Sequence, residues 1–75
     1  MYPNPTSDEA TISLEADEII KSIEVIDIQG RSIDNINNIN SQEYRLILRA
    51  YTYGLLTVRV TSKDGEIYIE KLIKT

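Results

Sequence analysis

The sequence predicts an all-β protein: a small immunoglobulin-like antiparallel β-sandwich of about six to seven strands. Three observations carry that expectation. Apolar residues alternate with polar ones in short runs, as they do on strands with one covered face. Turn signals separate the runs at intervals of roughly 8–12 residues. The apolar side chains are mostly β-branched, with thirteen Ile and no Phe or Trp, and such residues suit a pleated surface better than a helix. No window keeps a helical period over three turns.

The first alternation places Ala10, Ile12 and Leu14 against Thr11, Ser13 and Glu15. A polar break at residues 16–18 follows. Residues 19–28 are rich in Ile: Ile23 and Val25 share one face, and Ile20, Ile26 and Ile28 share the other. That pattern predicts a central strand, or one whose outer face is also covered. Asp27-Ile28-Gln29-Gly30 reads as a tight turn, because Asp bonds the backbone two residues on and Gly accepts positive φ. Residues 31–36 then complete a hairpin, and the Asn-rich stretch 35–41 is a loop.

Tyr44, Leu46 and Leu48 alternate with Arg45, Ile47 and Arg49 to give the next strand. Thr52-Tyr53-Gly54 is a corner, after which Leu56, Val58 and Val60 point one way. Lys63-Asp64-Gly65 carries the Asp-Gly signal of a two-residue hairpin turn. In the returning strand Ile67, Ile69 and Ile73 fall in phase, and so does Lys71, which would aim a charge inward. A bulge near Glu70 that turns Leu72 to the core, or an edge position for the strand, would relieve this. A buried unpaired ammonium would cost several kcal/mol.

At 75 residues the chain is one domain. Such a length buries roughly 60–65% of the unfolded surface, so the core must be efficient. There is no Cys and no His, so disulfides are excluded and a zinc site is not expected. The net charge of −4, with both signs interspersed, argues against a nucleic-acid or anionic-membrane surface. Arg45, Arg49 and Arg59 read as a solvated sheet face. No signal peptide stands at the start, and no stretch approaches the roughly 20 apolar residues that span a bilayer.

No constellation for catalysis is expected. Histidine and cysteine chemistry is impossible. The acidic pairs Asp8-Glu9, Asp17-Glu18 and Asp64-Glu66 lie in turns without the ligand spacing of a calcium loop. Asn4-Pro5-Thr6 fails as a glycosylation acceptor because proline occupies its middle position. No cofactor and no metal are expected, and the chain reads as something recognised, not something reactive.

Tyr2-Pro3-Asn4-Pro5 followed by a polar turn and a strand is stiffer than a free tail requires. Together with Ile23-Glu24-Val25-Ile26-Asp27-Ile28-Gln29-Gly30-Arg31, it resembles the C-terminal sorting domain of the type IX (Por) secretion system of Bacteroidetes. The resemblance continues through Gly54-Leu55-Leu56-Thr57-Val58-Arg59-Val60 and the final Lys71-Leu72-Ile73-Lys74-Thr75, so it spans nearly the whole chain. Leu56 departs from it, standing where the family most often has Tyr, and the loop at 35–41 is plainer than in many members.

The resemblance implies a non-enzymatic signal domain that directs attached cargo across the outer membrane. It implies the type IX translocon and a surface sortase-like peptidase as partners, with removal of the domain and anchoring of the cargo. The location implied is the cell surface or exterior of a Gram-negative bacterium, reached through the periplasm. Residues 1–6 would then be the linker to an upstream cargo, with Met1 either native or an added start, and residues 7–75 the sorting domain. The turns at Asp27, Gly30, Arg31 and Gly54 and the strand Lys71, Leu72, Ile73 and Lys74 would present the signal, with Lys71 and Lys74 as a basic terminus. An exposed final strand would also permit a homodimer through edge strands. Two other readings fit the composition: a structural spacer in a surface protein, and a carbohydrate-binding module using Tyr44, Tyr51, Tyr53 and Tyr68.

Overall fold

The computed structural model describes residues 8–15, 17–51 and 53–75. The expected linker, with Tyr2, Pro3, Asn4 and Pro5, lies outside the described residues, as does Thr52 of the expected corner.

Six strands are formed: β1 (Glu9–Ser13), β2 (Ile20–Ile26), β3 (Ser32–Ile36), β4 (Glu43–Ile47), β5 (Gly54–Ser62) and β6 (Ile67–Lys74). They make two antiparallel sheets, a pair β1-β4 and a quartet in the order β3-β2-β5-β6. No helix occurs among the described residues. The all-β sandwich expected from the alternation is what the chain adopts.

The alternation works because each sheet shows one face to the other. Ala10 and Ile12 of β1 sit beside Leu46 and Tyr44 of β4 in register. They pack with Leu48 on Ile20, Ile23, Val25, Leu56, Val58, Val60 and Leu72 to form one core. Each such Ile, Leu or Val side chain contributes about 1.5–3 kcal/mol when fully buried. Tyr44, Tyr51 and Tyr68 pack around its margin.

Ile20 is not on the outer face with Ile26 and Ile28. A register shift between Ile20 and Ser22 swings Ile20 into the core, and Ile28 is left 77% exposed in the turn. The extra residue of a bulge changes which side the next side chain takes, and no local pattern announces it.

The two hairpins share one geometry. The Asp27 amide donates to the Arg31 carbonyl and the Gly30 amide to the Asp27 carbonyl, at 2.9 and 3.0 Å. The Ser62 amide likewise donates to the Glu66 carbonyl and the Gly65 amide to the Ser62 carbonyl, at 2.8 and 3.0 Å. Lys63-Asp64-Gly65 is therefore a three-residue loop, not the expected two-residue turn. A glycine with positive φ closes each loop, Gly30 at 85° and Gly65 at 91°.

The largest departure is in β6. Its register with β5 runs unbroken from Gly54↔Lys74 to Thr61↔Ile67, so there is no bulge at Glu70. Leu72 and Lys74 face the core, whereas Ile67, Ile69, Lys71 and Ile73 face outward and are exposed. Lys71 therefore never points inward. The strand does lie at the sheet edge, as the alternative explanation required.

Candidate functional site

The antiparallel pairings bring the singled-out segments to one end of the quartet. Ile26 pairs with both Ser32 and Thr57, and Gly54 pairs with Lys74. The Asp27–Arg31 turn, the start of β5 and the finish of β6 are thus neighbours, although they are far apart in sequence.

Asp27 organises the turn. One carboxylate oxygen accepts the amides of Gln29 and Arg31, and the other accepts Nε of Arg31, each at 2.9 Å. The Arg31 amide, followed by the Arg31 side chain and the Gln29 amide, holds the Asp27 carboxyl below the usual carboxylate range. Ser62 repeats the device in neutral form, its Oγ accepting the Glu66 amide at 3.1 Å. The guanidinium of Arg31 remains mostly exposed beyond this pairing.

Lys74 corrects the expected basic terminus. It is 5% exposed, and its ammonium donates to the carbonyls of Arg49 at 3.1 Å and Tyr51 at 2.6 Å. The same nitrogen lies 4.9 Å from the centre of the Tyr53 ring, a cation–π contact. The charge is consumed inside the fold, tying the last strand to the connection after β4. Gly54, with φ at 102°, begins β5 opposite it. Lys71 does stand on the outer face, with Nζ 3.2 Å from Thr57 Oγ1.

The outer face of β6 is apolar around Lys71. Ile67 and Ile69 are each 54% exposed and Ile73 is 46% exposed, with Leu55 of β5 opposite Ile73. Local pattern reading could not find the socket of Lys74, because its acceptors are backbone carbonyls, which carry no residue-type signal.

The remaining candidates are structural. Arg45 pairs with Glu9, Arg49 with Asp8 and Arg59 with Glu24, so no basic patch forms from them. Three of the four tyrosines considered for sugar binding have other engagements, and the fourth, Tyr53, 79% exposed, faces the Lys74 ammonium. Tyr51 donates to Asp34, Tyr68 donates towards Glu18 and Glu66, and Tyr44 packs at the core margin. Among the described residues no group of carboxylates could hold a metal ion, and no helix could cross a membrane.

No curated protein matches the chain in sequence. The family described as the secretion system C-terminal sorting domain matches residues 1–75. The chain belongs to this type IX sorting-domain family.

A sorting domain of this kind acts as a secretion signal and is not of a known enzyme family. Membership implies contact with the type IX machinery and with a cargo domain, and export to the cell surface or beyond. The departure at Leu56 is accommodated within the sorting domain by complete burial in the core.

Proposed function

We propose that the sorting domain is read as a folded surface whose centre is β6, and not as a linear basic tail. One observation carries this: β6 is the last strand of the quartet and turns Ile67, Ile69 and Ile73 away from the core. An outermost strand with an apolar outward stripe offers side-chain anchors to a partner surface of the exporter. Residues 1–6 serve as the joint to the preceding cargo. After translocation a sortase-like peptidase removes the domain near that joint and transfers the cargo to a surface lipopolysaccharide. Pairing of two β6 edges into a homodimer would use the same surface and would have to open before export.

The test is a reporter fused ahead of residues 1–75 in a bacterium with a type IX system. The fusion is expected outside the cell. The triple variant Ile67→Thr, Ile69→Thr and Ile73→Thr keeps β-branched side chains, and is expected to remain folded in the periplasm. Removing residues 71–75 should also hold the reporter there, but by unfolding, since it deletes buried Leu72. Wild-type secretion of the triple variant would overturn the reading.

A further inference from the structure

Three local irregularities meet at the end of the quartet opposite the Asp27 turn. β2 pairs Ile20 with Ser62 and Ser22 with Thr61, so Lys21 is an extra residue with no partner on β5. A bulge of this kind re-aims its side chain. Asn38 and Asn40, at φ of 58° and 53°, are the two non-glycine residues with positive φ among the described residues. Asn accepts that region more readily than most residues, though still at a cost. Backbone bonds hold the loop there. The Asn40 amide donates to the Ile20 carbonyl at 2.8 Å, the Ile20 amide to the Ser41 carbonyl at 2.8 Å, and the Ile39 amide to the Lys21 carbonyl at 3.1 Å. The Lys63 amide donates to the Ile19 carbonyl at 2.8 Å, which brings the β5–β6 hairpin to the same place.

Lys21, Asn38, Asn40 and Lys63 together line a hollow of about 570 Å³ over buried Ile20. Its chemistry is one-sided. No Asp or Glu is among the described lining residues. The described ion pairs engage Arg31, Arg45, Arg49 and Arg59, and neither Lys21 nor Lys63. The Lys63 ammonium lies 3.4 Å from Asn40 Oδ1, a long bond that leaves it donors for another acceptor. In a chain of net charge −4, two cations without countercharge converge on one hollow beside two amides.

We infer that this hollow binds a sugar carrying a phosphate monoester. Near neutral pH such a phosphate approaches a dianion, which answers the two ammonium groups. The Asn amides both donate and accept, as sugar hydroxyls require. A bare phosphate would leave most of the hollow to water, whose share of liquid volume is about 30 Å³. The phosphodiester of a membrane lipid is the poorer match, because its single charge leaves one ammonium unanswered and an acidic chain gains nothing from an anionic bilayer. The site does not depend on the role proposed for β6.

The experiment is a nuclear magnetic resonance titration of the 75-residue chain with glucose-6-phosphate, glucose, inorganic phosphate and phosphatidylinositol vesicles in turn. The sugar phosphate is expected to bind most tightly, shifting Lys21, Asn38, Asn40 and Lys63 most. Both lysines are exposed, so their substitution leaves the fold intact. Lys21→Gln and Lys63→Gln should each weaken binding by about threefold or more. Arg45→Gln, which removes a charge outside the hollow, should matter less. Asn38→Gly keeps the left-handed backbone and removes the amide, and should weaken binding by about twofold or more. The proposal is overturned if the sugar phosphate does not bind, or if glucose, inorganic phosphate or the vesicles bind as tightly. It also fails if Arg45→Gln weakens binding as much as the lysine variants, or if Asn38→Gly binds like the parent.

Discussion

The ammonium of Lys74 donates to the carbonyl of Tyr51 at 2.6 Å, across 23 residues of sequence. With the second bond to Arg49 this closes the final strand onto the connection that follows β4. Lys74→Met keeps most of the apolar stem and removes both donors. It should destabilise the domain by about 1–3 kcal/mol, the usual cost of leaving partly buried acceptors without a partner. In a domain of this size that lowers the melting temperature by about 4–8 °C per kcal/mol. Were Lys74 merely a displayed charge, urea titration would show no change.

The two glycine-closed hairpins should respond alike to one substitution. A Cβ built at Gly30 or Gly65 meets nothing within 4 Å, so the cost of alanine is conformational, not steric. At φ of 85° and 91° that cost is about 1–2 kcal/mol for each of Gly30→Ala and Gly65→Ala. Asn at either position should recover part of it, because Asn tolerates the left-handed region better. Denaturation midpoints that differ widely between the two alanine variants would contradict the shared geometry.

Where one face of a strand is covered and the other wet, the sequence could be read directly. Ala10 and Ile12, Leu46 and Leu48, and Leu56, Val58 and Val60 all lie where their alternation places them. The Asp27–Gly30 turn was legible for a local reason, since its carboxylate bonds backbone two and four residues on. β6 was not, because hydrophobicity reports which side chains prefer burial and not which face of an edge strand receives it. Its inner positions Tyr68, Glu70 and Lys74 are amphipathic or charged, and the fit of Tyr68 and Lys74 depends on Glu18, Tyr51 and Arg49, all distant in sequence. The sorting role was legible through the order of motifs, whereas the backbone socket of Lys74 had to be seen in three dimensions.

The two faces of β6 can be separated by stability. Leu72 is fully buried, and Leu72→Ala should cost about 2–5 kcal/mol through lost burial and a residual cavity. Ile69→Thr, on the exposed face, keeps a β-branched side chain and should lie within about ±0.5 kcal/mol of the parent. Comparable losses for the two would mean that the isoleucine stripe is the packed side after all.

Stability should fall at both ends of the pH scale, for opposite reasons. The Asp27 carboxyl is held low, chiefly by the Arg31 amide. Its contribution is therefore complete above the ordinary carboxylate value of about 3.9 and is lost as pH falls through the depressed folded value. The Tyr51 hydroxyl is pushed up, first by burial and then by its bond to Asp34, and the Tyr68 hydroxyl is pushed up first by its bond to Glu18. For these the unfolded chain ionises first, near pH 10, so stability is complete below that value and declines as pH rises toward the raised folded values. Urea midpoints should be flat from about pH 5 to 9 and fall on either side. Asp27→Asn should flatten the acid limb relative to the parent, and the Tyr51→Phe, Tyr68→Phe pair the alkaline one. The difference between the curves of the parent and the double variant isolates the tyrosines. An alkaline limb unchanged in the double variant would show that neither hydroxyl is held neutral by its carboxylate neighbour.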